Sequence, residues 1–219
     1  MLAPCIVGIL TVVNGEGNVL QYPSIEGWRT AEIGKPCIAF YKYDGSNLRW
    51  EYEPKRGWKK MGTRRQLFDE TTPLFNQAIE LFHDQMAGVI VDTVNHAFGR
   101  KVERITAFTE FYGPSSFAGS HGEDEQKTLT LFDVFVFKKG FIPPKQFVKL
   151  FSPYDWSAKV VYEGVMDQQF IHDVYNGNYP VEEGVICKGA DWSTKIKTRA
   201  YLDKLMLVNR GLWEEEKNE

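Results

Sequence analysis

Phe40-Tyr41-Lys42-Tyr43-Asp44-Gly45-Ser46-Asn47 is the stretch on which the reading of this chain turns. It closes an apolar and aromatic run that begins at Pro36, and the run reads as a strand over 36–43. Asp-Gly is a strong turn pair, so the chain is expected to return as a second strand over 46–53. Lys42 stands out in this pattern. A lysine that far along an apolar strand is rarely buried without a partner or a chemical task. The bland alternative is a lysine whose stem lies along the sheet and whose ammonium reaches water beside a hairpin turn.

Working outward, residues 5–13 read as a β-branched strand and Asn14-Gly15-Glu16-Gly17 as a turn. Gly15-x-Gly17 has Leu20 where a dinucleotide-binding loop needs a third glycine, which leaves it a hairpin turn. Residues 58–62 predict a short strand, and Pro73 opens a helix running to about His96 on Leu74, Ile79, Phe82, Met86 and Val89. Strands are expected over 101–112, 127–138, 157–163 and 182–188, and helices over 143–151, 165–176 and 198–211. Hairpin-like strands with a few inserted helices predict an α+β fold of mainly antiparallel sheets with flanking helices. No linker or repeat interrupts the chain, so residues 1–219 are expected to form a single domain.

Composition narrows the class. The chain is 43% hydrophobic and 25% charged, with a net charge of −3, so nucleic-acid binding would need a local patch rather than global basicity. Cys5, Cys37 and Cys187 are widely spaced and odd in number, against a disulfide framework or a zinc site and in keeping with a reducing cytoplasm. His83, His96, His121 and His172 are scattered as well. The first residues lack a secretory leader, and no apolar run reaches membrane-spanning length.

A nucleophilic lysine works as the neutral amine, which at an ordinary pKa of about 10.4 is roughly one molecule in a few thousand at pH 7. An apolar flank and neighbouring cations favour the neutral form. Lys42 has the flank. Lys195 and Lys197 are the candidate cations, because a Lys-x-Lys pair on a strand projects both amines from one face. Two amines converging on a phosphate would neutralise charge that develops at phosphorus. Glu110 and Glu183 are candidate ligands for Mg²⁺, an ion that favours carboxylate and phosphate oxygens and keeps water.

Lys-x-Asp-Gly alone arises by chance in roughly one chain of this length in twenty, so the weight lies in order. Lys42-x-Asp44-Gly45-x-Asn47 is followed by Thr63-Arg64-Arg65, Glu110, Phe132-Asp133, Glu183-Gly184-Val185 and Lys195-x-Lys197. That series resembles the covalent nucleotidyltransferase superfamily of ATP-dependent RNA and DNA ligases and mRNA-capping enzymes. Asn47, where many DNA ligases and capping enzymes carry arginine, makes it most similar to phage-type RNA ligases that act in RNA repair. Tyr22-Pro23-Ser24-Ile25-Glu26 is similar to the segment preceding the nucleophile in some of them.

The resemblance implies a nucleotidyltransferase (adenylation) domain that joins RNA 3′-OH and 5′-phosphate ends with ATP and Mg²⁺ or Mn²⁺. Lys42 would hold AMP as a lysyl-AMP phosphoramidate, and Asn47 would help pass AMP to the RNA 5′-phosphate. Arg64 or Arg65 would orient phosphate or the 3′-end, with Arg64 the better register. Glu110 would contact the ribose or organise the metal, Glu183 would act at the metal, and Lys195 and Lys197 would contact the α-phosphate. Asp133 falls at a structural position. The resemblance is equally compatible with a nicked duplex, a broken tRNA loop or single strands.

Two features depart from that pattern. Leu129, four residues before Asp133, stands where some members stack an aromatic on adenine. The chain also ends 22 residues after Lys197, short of the C-terminal domain that related ligases carry, so a minimal catalytic domain is expected. Lys55, Arg56, Lys59, Lys60, Arg64 and Arg65, interleaved with Trp50, Tyr52 and Trp58, are the candidate RNA-contacting patch, with Lys59, Lys60, Arg64 and Arg65 as its core. A solvated hairpin whose aromatics cover the sheet is the competing reading. At the level of activity the alternatives are a minimal DNA ligase, a capping-type nucleotidyltransferase, or a relative that binds nucleotide or RNA without catalysis.

Overall fold

The computed structural model describes residues 11–14, 17–72, 75–99, 102–114 and 124–215. Residues 5–10 of the first expected strand, Gly15, Glu16, Pro73, Leu74, loop 115–123 with His121, and the tail beyond 215 lie outside them. The chain divides into two compact units, one of residues 1–24 and 44–158 and the other of residues 25–43 and 159–219. Pairings between the named strands are antiparallel. No helix among the described residues is long and apolar enough to cross a membrane.

The first unit holds the hairpin β1 (Thr11–Asn14) and β2 (Gly17–Leu20), with Asn14 opposite Gly17. Its main element is a six-stranded sheet of β4 (Ser46–Glu53), β5 (Gly57–Thr63), β6 (Leu67–Phe68), β7 (Ile105–Tyr112), β8 (Thr128–Val136) and β9 (Gly140–Phe141), in the order β6-β5-β4-β7-β8-β9. Alternation gives the sheet two faces. Leu48 and Trp50 of β4, Ala107 and Thr109 of β7, and Leu131 of β8 lie on one face and are fully buried. This face is closed by α1 (Asn76–Leu81), a π-type stretch over Phe82–Met86, and α2 (Ala87–Phe98). Phe82 stacks on Trp50 at 4.1 Å with the rings 4° from parallel, and Trp50 Nε1 donates to Thr109 Oγ1 at 2.8 Å. Buried positions Phe82, Met86, Ile90 and Val94 recur every four residues, more than the 3.6 of an α-turn, and the wide π-turn between the first two absorbs the excess. Helix α3 (Pro144–Phe151) starts on the expected proline and buries Phe147 and Phe151.

The second unit is a four-stranded sheet of β3 (Pro36–Lys42), β10 (Val160–Val165), β11 (Gly184–Lys188) and β12 (Ser193–Lys197), in the order β10-β3-β11-β12. Cys37 and Ala39 of β3, Val185 and Cys187 of β11, and Ile196 of β12 share a face and pack on Met166, Phe170, Ile171 and Val174. The last three belong to α4 (Gln168–Tyr175), and α5 (Arg199–Glu215) closes the chain.

The α+β class with mainly antiparallel sheets is as expected, but three local readings need correction. The Asp44-Gly45 turn does not make a β3–β4 hairpin, since β3 pairs with β10 and β11 while β4 pairs with β5 and β7. A Cβ on Gly45 would stand 2.4 Å from the Phe111 carbonyl oxygen, so glycine is required there by the close approach of β7. The strand expected over 157–163 lies instead at 160–165. Trp156 and Ala158 are used by β8: Leu131 N donates to the Trp156 carbonyl and Ala158 N to the Leu131 carbonyl. Asp167 then caps α4 by accepting from Phe170 N at 2.7 Å, so the helix starts at Gln168, three residues later than the expected 165.

Phe82→Ala removes the ring that closes the six-stranded sheet and is expected to cost about 3–5 kcal/mol, read as a lowered urea midpoint with an unchanged slope.

Candidate active site

Lys42 is the last residue of β3, opposite Gly184 at the start of β11, and Gly184 is in turn opposite Lys197 at the end of β12. Directly opposed residues project from the same face, so the two lysines stand on either side of a position with no side chain. Glu183, 3% exposed, fills the space: Lys42 Nζ lies 2.7 Å from its Oε2 and Lys197 Nζ 2.8 Å from its Oε1. The Lys42 contact is ionic rather than a directed hydrogen bond, because Oε2 has no aligned donor.

The backbone around Gly184 makes this possible. Its φ of +146° is one that a side chain resists, and a Cβ there would lie 2.0 Å from the Ile196 carbonyl oxygen. The segment before it is tied down at both ends. Thr198 N donates to the Glu183 carbonyl at 3.0 Å, Thr198 Oγ1 to the Glu182 carbonyl at 2.7 Å, and Glu182 N to Tyr41 Oη at 3.3 Å. Lys197 Nζ also sits over the Tyr201 ring at 4.6 Å, and both lysine side chains keep roughly a quarter of their surface, 22% and 24%.

The expected source of charge beside Lys42 therefore needs revising. The sequence pattern predicts lysines as its neighbours, yet its close partner is a carboxylate, and Lys197 is reached through that same carboxylate. Lys195 is on the same sheet face, opposite Ile186 and two residues from Lys197, and its N–H donates to the Glu26 carbonyl at 2.9 Å. That contact seats the end of the Tyr22–Glu26 segment on β12. Alternation also puts Lys188 on this face, where its ammonium lies over the Phe40 ring at 5.4 Å. Lys188 was not singled out from the sequence; counting by two from Gly184 would have found it.

In the first unit Asn47 and Glu110 are opposed across β4 and β7, on the sheet face away from the helices, and Thr130 of β8 is opposite Glu110. Arg64 and Arg65 occupy the exposed turn after β5, and Lys59 is also exposed, whereas Lys60 is half-buried opposite Glu51. The aromatics between these cations are not free to stack on bases as a group. Trp50 is fully buried, and Trp58 packs edge-on to Phe82 while its Nε1 donates to the Ala87 carbonyl at 3.1 Å.

Leu129, which stands where some related enzymes carry an adenine-stacking aromatic, is opposite Phe111 and 2% exposed, on the helix-covered face and not on the Glu110 side. The aromatic surface on the Glu110 side comes from elsewhere. A bulge between Leu131 and Asp133 leaves Phe132 unpaired, and its ring meets Tyr22 at 5.0 Å, while Tyr22 also meets Phe108 at 5.0 Å. Asp133 has a structural role: Oδ1 accepts from Val134 N and Oδ2 from Tyr22 Oη, each at 2.9 Å. Burial, followed by the Asp133 charge, holds the Tyr22 hydroxyl well above its ordinary range, so it stays a donor.

Among the described residues, no three His, Cys, Asp or Glu side chains cluster with metal-binding geometry. A hard divalent ion that retains water and takes phosphate oxygens needs only one or two carboxylates. Glu183 Oε2, buried and lacking a hydrogen-bond donor, is an acceptor of the kind such an ion uses.

No family model matches this chain, and no curated protein matches it in sequence. Solved structures do match in fold. A variant of Naegleria gruberi RNA ligase without ligand aligns with 90% of this chain and 60% of its own, at a TM-score of 0.66 and 16% identity. The same ligase with PPi aligns with 93% and 63%, at 0.62 and 17% identity. A variant with AMP and Mn aligns with 84% and 58%, at 0.63 and 15% identity. At this identity the likeness is one of fold, and the fold is of the nucleotidyltransferase ligase type. The chain spans about three fifths of the length of those ligase chains.

Two outcomes follow from the backbone at Gly184 and the burial of Glu51. Gly184→Ala is expected to cost at least about 2 kcal/mol, measured by thermal melting. Burial pushes the Glu51 carboxyl above its ordinary value of 4.5, against the pull of Arg49. A carboxyl raised in the folded state contributes stability that is full below the ordinary value and is lost as pH rises through the raised one. Wild type should therefore gain stability relative to Glu51→Gln as pH falls from about 7 towards 4; parallel urea midpoints across that range would contradict it.

Proposed function

We propose that this chain is an ATP-dependent RNA ligase of the phage type, with residues 1–219 acting as one nucleotidyltransferase domain in the cytoplasm. The observation that carries this reading is the pair Lys42 and Lys197, held to opposite oxygens of the buried Glu183 carboxylate across Gly184. A lone snorkelling lysine would need neither the second lysine nor the buried carboxylate. The fold's likeness to structures of an RNA ligase with ATP and Mn, with AMP and Mn, and with PPi supports the same reading.

In this proposal Lys42 Nζ, as the free amine, attacks the α-phosphorus of ATP. The bond from that phosphorus to the bridging oxygen breaks, pyrophosphate leaves, and AMP remains on the lysine as a phosphoramidate. Lys195 and Lys197 face the phosphate and offset the charge that grows on its oxygens. Glu183 is the proposed ligand of Mg²⁺ or Mn²⁺, which would neutralise phosphate charge, and Glu110 contacts the ribose or that ion. Asn47 assists transfer of AMP to the RNA 5′-phosphate, giving AppRNA, and Arg64, with Arg65, Lys59 and Lys60 near it in sequence, holds RNA phosphate. The RNA 3′-OH then displaces AMP and the ends are joined.

Incubation with ATP labelled at the α-phosphate and Mg²⁺ should label the protein, and Lys42→Ala should abolish the label, a loss of at least about a thousandfold for removal of a nucleophile. Persistence of the adduct in Lys42→Ala would refute the assignment. ATP binding without any adduct in the wild type would favour a non-catalytic nucleotide-binding relative.

A further inference from the structure

The six-stranded sheet carries a charged pair that the proposed chemistry does not use. Arg49 and Glu51, two residues apart on β4, share the face of Asn47 and are 5% and 7% exposed. Their closest approach is 3.6 Å from Arg49 Nε to Glu51 Oε1, and neither atom has a hydrogen-bond partner. A buried ion pair without aligned hydrogen bonds is weak evidence for stability, and replacement by an apolar pair of similar volume is often neutral or stabilising. Its retention calls for another explanation.

The rest of the guanidinium supplies one. Arg49 Nη1 donates to the Thr63 carbonyl at 2.7 Å, directly beneath the turn that carries Arg64 and Arg65. Gly62, opposite Arg49, admits the guanidinium: a Cβ at 62 would stand 2.8 Å from Nη2 and 2.8 Å from the Gln66 carbonyl oxygen. Thr63 organises the turn itself. Its Oγ1 accepts from Arg65 N and Gln66 N, each at 3.2 Å, and its N–H donates to the Gln66 carbonyl at 2.8 Å. Gln21 Nε2 holds the Arg64 carbonyl at 3.0 Å from the other side. The turn's backbone is thus fixed at Thr63, Arg64 and Gln66, while the Arg64 and Arg65 residues are exposed.

We propose that Arg49, braced by Glu51 and admitted by Gly62, is a positioning residue that sets the 63–66 turn so that Arg64 meets the phosphate of the RNA end. The inference rests on the ligase reading and extends it to residues that do not touch substrate. Arg49 suits the task because a planar fork anchored by one charge can direct a second N–H at a carbonyl, which a lysine's point charge cannot do as rigidly.

The test compares Arg49→Lys, Gly62→Ala, Arg64→Ala and the Arg49→Lys/Arg64→Ala double variant. Three quantities are measured: the rate of adduct formation with ATP, the kcat and KM for transfer to 5′-phosphorylated RNA, and hydrogen exchange at the amides of 64–66. Arg64→Ala should raise KM for RNA roughly tenfold. Arg49→Lys and Gly62→Ala should raise it to a similar degree, with adduct formation within about twofold of wild type and faster exchange at 64–66. The double variant should be no worse than Arg64→Ala alone, because a turn without its arginine gains nothing from being positioned. Multiplied effects in the double variant, or equal losses in both steps, would overturn the proposal. Gly62→Ala keeps the test open if Arg49→Lys fails to fold. If the wild type forms no adduct, the ligase reading fails, and exchange at 64–66 then decides alone: unchanged protection in both variants overturns the positioning role.

Discussion

One carboxylate holds together the part of the second unit that carries Lys42. Glu183 is almost fully buried and answers two ammonium groups from two strands. A buried carboxylate is tolerated only when paired, and each lysine near it is tolerated for the same reason. The pairing fixes register as well as charge. A slip of one residue between β3 and β11 would turn Lys42 to the apolar face of the sheet and bring apolar side chains to the carboxylate, so the alignment of the three strands is strongly specified. Gly184 is the geometric condition, because the backbone that delivers Glu183 to this point passes too close to Ile196 to carry a side chain.

The first unit separates its tasks by sheet face. One face is closed by Phe82, Met86, Ile90 and Val94 on Trp50 and its neighbours, and this apolar contact stabilises the unit. The other face carries Asn47, Arg49, Glu51, Glu110 and Thr130, polar groups that are costly in a sheet core and that an apolar replacement would relieve. Interactions that matter to the proposed chemistry are concentrated there, and stability is supplied from the opposite side.

Much of this organisation could be read in the chain. Period-two alternation and turn residues located most strands and the α+β class, and the Lys-x-Lys pair does share a strand face. The errors have physical causes. Asp44-Gly45 has the composition of a hairpin turn, but a turn dipeptide does not encode which sheet the next strand joins, and the glycine is set by Phe111, far away in the chain. Leu129 holds a position that the resemblance defines by sequence spacing alone; the bulge in β8 shifts the alternation by one, so Leu129 lies on the helix-covered face and Phe132 on the other. Trp50 and Trp58 look available among lysines and arginines, and only the arrival of Phe82 shows that they belong to the core.

The amino-acid sequence by itself determined the residue types, their order and the side of each strand on which they fall, because side-chain alternation is a local property of an extended backbone. The tertiary structure alone decided the partners: that Glu183 sits between Lys42 and Lys197, that Gly184 leaves room for it, and that Arg49 reaches the Thr63 carbonyl. Those contacts depend on cross-strand register and on the exclusion of water from particular side chains, and both arise only when segments distant in sequence pack against one another.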